Sequence, residues 1–417
     1  MNHYDAIVLG VGGVGSAALY ELARRGVRAI GIDRFSPPHD RGSSHGQTRI
    51  IRQAYFEHPD YVPLVIECYR LWHELERHVG RHLFFETGLV EVGPADGVVV
   101  PGVLRAAHEH RLAVEPLSGA EIENRWPGLR VDGDLIGVYE PQAGYLLVEE
   151  CVRAHLDAAQ DAGAELLADT QVFGWSAAGE EVRVNTAHGE IVAPRLIVTA
   201  GAWAAKMLAD LSLGLTVRRK SLFWFETATG DYDTVARFPV FLFELPDSRS
   251  HAPRGNADLR RSASLPEVQT GRGSGEAVRS HAERGNKVFY GYPKLDARGV
   301  KVGEHSGGRV VDDPLTVDRS IDPREQAAIE QFLAGHLPDV SNRVAGHAVC
   351  LYTMSPDEHF IVDRHPAHAN VVFAAGLSGH GFKFAPVLGR VLADLALTGS
   401  TPLPIGFLSL ARFARST

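Results

Sequence analysis

An apolar, β-forming run at residues 4–9 breaks at Gly10-Val11-Gly12-Gly13-Val14-Gly15, and this break constrains the fold more than any other feature of the chain. Ala17, Ala18, Leu19, Leu22 and Ala23 follow at helical spacing until Gly26. A second apolar stretch, 27–32, then ends on Asp33. A strand, a glycine turn, a helix and a strand in that order open a parallel α/β sheet. GxGxxG is read as Gly10, Gly12 and Gly15, with an acid 18 residues beyond the last glycine. Gly10 permits the tight turn, Gly12 lets the backbone approach a pyrophosphate, and Gly15 lets the helix pack closely on the sheet. The helix N-terminus supplies unpaired N–H groups and a positive dipole end, while Asp33 can accept a hydrogen bond from a ribose 2′-hydroxyl. The motif asks for a dinucleotide and does not choose between FAD and NAD.

At 417 residues the chain is too long for one ordinary domain of about 100 to 200 residues, so a second unit is expected. A net charge of -9 offers no basic footprint for nucleic acid or an anionic membrane. The uncharged run 6–20 has nothing basic before it and is shorter than the roughly 20 apolar residues of a membrane span. The C-terminal Ala414-Arg415-Ser416-Thr417 does not match the S-K-L peroxisomal address, and the cytoplasm is the expected location. Three widely spaced cysteines, Cys68, Cys151 and Cys350, build neither a disulfide framework nor a zinc site and suit a reducing compartment.

Further along, Gly42-Ser43-Ser44-His45-Gly46-Gln47-Thr48-Arg49-Ile50-Ile51-Arg52 is a small polar loop followed by two guanidiniums. Arg suits a bidentate grip on a carboxylate or phosphate, yet composition alone places Arg49 and Arg52 on a solvated surface and makes His45 an ordinary loop histidine. Helices are expected over 61–78 and 148–162, and the buried strand 195–203 belongs in the same parallel sheet as the first two. Residues 247–286 hold seven Arg, five Asp or Glu, five Gly and no aromatic, the composition of a flexible excursion. Strands follow at 288–292 and 299–305. In the second, Lys301 and His305 share one face about 13 Å apart, which the pattern alone turns towards water. Cys350 lies in the apolar strand 348–352 and reads as a core residue. Residues 371–375 run into Gly376-Leu377-Ser378-Gly379-His380-Gly381-Phe382-Lys383-Phe384 and then a helix, a second anion-receptive turn at the far end of the chain that suggests an extended cofactor. His359, Asp363, His365 and His368 follow no recognised zinc spacing.

Together these motifs resemble the monomeric sarcosine oxidase and N-methyltryptophan oxidase family of D-amino-acid-oxidase-like flavoenzymes, nearly end to end. The resemblance is carried by the glycine motif, by 37–52, by Tyr290-Gly291-Tyr292-Pro293, by the strand from Lys301 to His305, by Cys350-Leu351-Tyr352-Thr353, by Asp357-Glu358-His359-Phe360 and by 376–384. Ser44 stands where the family commonly has histidine, and Gln47 where it has an acid. The resemblance implies FAD tethered through Cys350 to the flavin 8α-methyl carbon, with Gly10, Gly12, Gly15, Asp33, Gly376, Gly379 and Gly381 around the cofactor. It places His45 and Arg49 beside the isoalloxazine. Arg52 and Lys383 would sit on the substrate carboxylate, Tyr290, His305 and Tyr352 around the substrate, and Lys301 near flavin N5, where a cation favours O₂ reduction. The implied reaction oxidises the C–N bond of a secondary amino acid and reduces O₂ to H₂O₂ in a monomeric enzyme. A dehydrogenase using another acceptor, and a non-catalytic flavoprotein docking a partner through 247–286, stay open. The expected fold is α/β with two domains: a Rossmann-like FAD unit from 1–85, 150–215 and 335–417, and a mainly antiparallel substrate unit from 86–149 and 216–334.

Overall fold

The computed structural model describes residues 3–246 and 286–415, so the expected excursion lies outside the described residues except for Asn286. Strand β1 (Ala6–Leu9) carries no charge and is buried on both faces, as a central parallel strand must be. It pairs in parallel with β2 (Ala29–Ile32) on one side and with Leu196–Val198 on the other. His368–Ala375 and Glu165–Leu167 extend the parallel set, and Ile361–His365 closes one edge antiparallel. Ala6 and Val8 face a helical layer that includes α1 (Gly13–Ala23), α2 (Val62–Val79), Val148–Asp161 and Ala385–Thr398. Ile7 and Leu9 face an antiparallel meander of Val172–Ala178, Glu181–Thr186 and Gly189–Ala193. Alternation along one four-residue strand therefore separates two hydrophobic layers.

The turn after β1 depends on absent side chains. Gly10 has φ +88°, and a Cβ there would lie 2.6 Å from the Thr199 carbonyl oxygen. A Cβ on Gly15 would lie 1.8 Å from the Gly10 carbonyl oxygen and 2.7 Å from Thr199 Oγ1. Gly15→Ala must push α1 off the sheet, an overpacking cost of about 1–3 kcal/mol. The expected outcome is a lower denaturation midpoint, read by urea unfolding.

The second sheet has eight strands. From one edge to the other they are Val340–Met354, Thr216–Thr227, Val300–Glu304, Lys287–Tyr292, Val240–Leu245, Leu89–Gly93, Ile136–Glu140 and Glu115–Ser118. All neighbours are antiparallel except Val240–Leu245 with Leu89–Gly93. Phe223, Phe225, Phe241, Phe243 and Phe289 on one face pack on the helix Pro323–His336. Leu89, Leu222, Leu242, Tyr290, Cys350 and Tyr352 belong to the cluster on the other face. Val340–Met354 pairs with Thr216–Thr227 over most of its length, so residues expected with the FAD unit from 335 onward begin instead in the antiparallel sheet. A 15-residue strand with half its side chains facing each way gives no sequence signal of which sheet it joins. Strand β3 (Thr48–Ile51), with Phe84–Phe85 and Gly144–Leu147, forms a small sheet that leads the glycine-rich unit into the antiparallel one.

Candidate active site

Two cavities meet between the sheets. The larger, about 1500 Å³ counting its open mouth, runs from Gly10, Gly12 and Asp33 past Trp203 and Thr353 to Gly376, Gly379 and Gly381. The smaller, about 530 Å³ on the same basis, is lined by Arg52, Glu57, Tyr290, His305, Tyr352 and Lys383, among others. Arg49, Tyr352, Gly379 and Phe382 border both. Every glycine expected at the cofactor lines the larger cavity except Gly15, which does the packing described above.

At the dinucleotide end the helix start is open to a ligand but pre-arranged. Gly13 N–H donates to Ser44 Oγ at 3.0 Å, so this serine ties the second loop to the first. Asp33 accepts from Val11 N–H at 2.7 Å and from Phe35 N–H at 3.0 Å, which fixes the carboxylate at the cavity wall. Trp203 and Thr353 also line this cavity, and their Nε1 and Oγ1 atoms are buried without a hydrogen-bond partner among the described residues. Buried polar atoms are ordinarily satisfied, so a polar, extended cofactor fits this wall. Neither residue was foreseen as a site residue; Trp203, closing a strand in a small-residue turn, was the available signal.

The loop 42–52 turns inward. Gln47, at φ +74°, is locked by donating to Asp296 at 2.9 Å and accepting from Trp224 Nε1 at 2.9 Å, a role an acid could not fill on both sides. Arg49 donates to the carbonyls of Thr48 and Ser43 at 2.8 Å and to Cys350 Sγ at 3.1 Å. Arg52 is 3% exposed, and His45 is buried with Nε2 lacking a hydrogen-bond partner among the described residues. The surface placement of these three is therefore overturned: β3 pairs with Gly144–Leu147 and carries the arginines under the second sheet. Burial, then Arg49, pushes His45 down to about 4, so its ring is neutral at pH 7. Lys301, expected in water, is 2% exposed. Its ammonium donates to Gly46 O at 2.6 Å, Thr48 O at 2.8 Å and Thr48 Oγ1 at 3.0 Å, because the loop covers that face of the strand. His305 lines the smaller cavity, with Nδ1 3.4 Å from the Tyr352 hydroxyl.

Cys350, His45 and Lys301 do not themselves line either cavity. They form the layer behind Arg49, Tyr352 and the loop.

In the smaller cavity two cations converge. Arg52 donates from Nη2 to both oxygens of Glu57, at 2.6 and 2.8 Å, and stacks over Tyr55 and Phe56. Lys383 Nζ donates to His380 O at 2.9 Å and to the Tyr55 hydroxyl at 3.3 Å. Burial and then Arg52 push Lys383 down to about 7. Burial works against ionisation of Glu57, but Arg52, His380 and Lys383 hold it at about 2. Glu57 was missed from sequence, since an acid five residues from an arginine in a loop has no distinguishing pattern. Among the described residues no group of three or more His, Cys, Asp or Glu is placed to hold a metal ion. His365 instead pairs with Asp210 at 2.8 Å.

A nucleotide cavity at the ends of parallel strands, opening onto a cationic pocket under an antiparallel sheet, defines a two-part flavin-dependent oxidoreductase. The family model described as "FAD dependent oxidoreductase" matches residues 5–395. The chain belongs to the monomeric sarcosine oxidase and N-methyltryptophan oxidase family within it. It is 37% identical over 416 residues to monomeric sarcosine oxidase of Bacillus sp. (strain B-0618), covering 99% of this chain and 96% of that one. It is 34% identical over 413 residues to N-methyl-L-tryptophan oxidase of Salmonella enteritidis PT4 (strain P125109), covering 99% and 100%. Among solved structures, the open form of NikD, an amino acid oxidase of nikkomycin biosynthesis, superposes with a TM-score of 0.80 at 23% identity over 98% of each chain. Glycine oxidase from Geobacillus kaustophilus gives 0.74 at 19% identity over 99% of each. These two likenesses speak for the fold. No helix among the described residues is long and apolar enough to cross a membrane.

Proposed function

We propose that this protein is a monomeric oxidase of secondary amino acids, N-methyl or cyclic, with FAD tethered through Cys350. The observation that carries the reading is the shared wall: Arg49, Tyr352, Gly379 and Phe382 border both cavities, so a flavin held in the larger one would face the Arg52 and Lys383 cations of the smaller. FAD supplies the redox chemistry, taking two electrons from the substrate C–N bond and giving them to O₂. Amino acid and O₂ become imine and H₂O₂, and water then hydrolyses the imine. The chain's own part is to orient and to hold charge. Arg52 and Lys383 take the carboxylate, which favours an amino acid over a neutral amine, and Tyr290, His305 and Tyr352 enclose the rest of the molecule. In this division the cofactor belongs to 1–85, 150–215 and the part of 335–417 that follows Val340–Met354, and the substrate to 86–149, 216–334 and that strand, with Lys383 crossing over.

The test is a panel of sarcosine, N-methyltryptophan, proline and pipecolate, scored for anaerobic bleaching of the flavin and for H₂O₂ in air. Bleaching with peroxide is the expected result. Bleaching without peroxide would make the protein a dehydrogenase, and no bleaching by any of the four would sink the reading.

Removing Arg52 should cost the binding of a charged hydrogen-bonded partner, about 1.5–3 kcal/mol, or roughly a 10- to 100-fold rise in KM. In Arg52→Gln the rise should be largest for acids and absent for the corresponding amino-acid amides, measured by steady-state kinetics on both.

A further inference from the structure

The strand Leu89–Gly93 reads Leu-Val-Glu-Val-Gly, an acid between two valines in a wholly buried strand. Glu91 is 0% exposed, and neither of its carboxyl oxygens has a hydrogen-bond partner among the described residues. Its register explains where it points. Leu242 and then Tyr290 are its lateral neighbours across the sheet, and both line the smaller cavity. Its nearest charge is Arg52, with Nε 3.5 Å from Glu91 Oε1. One guanidinium thus meets two carboxyls: Glu57 on Nη2 with two short hydrogen bonds, and Glu91 near Nε with none.

This inference rests on the reading that Arg52 and Lys383 receive the substrate carboxylate. A third carboxylate arriving on Arg52 has to be accommodated by the pair already there. Glu57 is tied by its hydrogen bonds and faces Lys383 as well as Arg52, so it keeps its charge. An ionised carboxylate with no hydrogen bond in a buried site is poorly stabilised, so Glu91 is the group that yields. We propose that Glu91 is a positioning residue that takes a proton from solvent when an amino-acid carboxylate pairs with Arg52, so that the guanidinium never faces three anions. The groups around it are Arg52 and Glu57 from the segment after β3, Glu140 from the neighbouring strand Ile136–Glu140, and Lys383 from the turn before the C-terminal helix. Burial holds Glu91 up at about 8, with Glu140 and Glu57 adding to the effect and Arg52 and Lys383 opposing it. A new anion moves Glu91 further up, which makes the uptake visible above pH 8. Lys383 also gains a proton as the carboxylate binds, so two groups contribute and a variant has to separate them.

The experiment uses the flavin-loaded protein and 2-furoate, a carboxylate with no oxidisable amine. Binding is followed by perturbation of the flavin spectrum, and proton uptake by titration calorimetry in two buffers of different ionisation heat at pH 8.5. Wild type should take up more protons than Glu91→Gln, by as much as about one, and its log Kd should rise more steeply with pH by the same number. Equal uptake and equal slopes in the two proteins overturn the role of Glu91 while leaving the carboxylate clamp intact. Failure of 2-furoate to bind wild type overturns the clamp, and this inference with it. If Glu91→Gln does not fold, infrared difference spectra of wild type at pH 9 decide: a new protonated-carboxyl band on adding 2-furoate is expected, and its absence is disproof.

Discussion

Lys301→Met is expected to slow the reaction with O₂ by roughly 10²- to 10³-fold, the loss typical of one pre-placed charge-stabilising group, and to leave anaerobic reduction by the amino acid much less affected. The side chain is buried, its ammonium lies 4.5 Å from the centre of the Tyr292 ring, and all three of its hydrogens find acceptors on Gly46 and Thr48. Two readings follow from that geometry. As a fixed cation in a dry layer behind the cavity wall, Lys301 favours the negative charge that O₂ acquires, and only the oxidative half of the cycle depends on it. As a staple for the 46–48 turn it would hold Arg49 in place, and both halves would fall together. Stopped-flow absorbance, with each half-reaction measured alone, separates them. Burial and then Arg49 push the Lys301 pKa well down, so the O₂ rate of wild type should decline as pH rises through its deprotonation, and that limb should vanish in Lys301→Met.

The second large effect is all-or-none. After acid precipitation the wild-type pellet should stay yellow, while Cys350→Ser should release its flavin to the supernatant. Three buried free cysteines are present, and position alone distinguishes them. Cys68 lies within α2 and Cys151 within Val148–Asp161, both in the helical layer. Cys350 sits 3.1 Å from Arg49, which borders both cavities, and next to Leu351, Tyr352 and Thr353, which line the larger one. Cys68→Ser and Cys151→Ser should keep the colour. Free FAD released from the wild type would end the tether proposal.

How much of this was readable in the chain depends on the range of the interactions involved. Local rules were enough for β1, the glycine turn, α1 and Asp33, because backbone sterics and helix spacing act over a few residues. The helix Ala385–Thr398 and the amphipathic α2 were equally plain. Arg49, Arg52, His45 and Lys301 went wrong on composition alone, since charge predicts exposure unless something covers it, and what covers them comes from distant parts of the chain. The family resemblance corrected their placement by matching motifs. It said nothing of Glu57 or Glu91, whose meaning depends on Arg52 meeting both.

The residues by themselves determined a strand, glycine turn, helix and strand at the N-terminus, and a strand, glycine turn and helix near the C-terminus. Each of these depends on spacing along the backbone. Tertiary structure alone decided that Val340–Met354 joins the antiparallel sheet, that Cys350 meets Arg49 across 301 positions, and that Arg52 meets two carboxyls. The physical reason is burial: a side chain's charge state and chemistry depend on what removes water from it, and here the covering groups come from strands and loops far away in sequence.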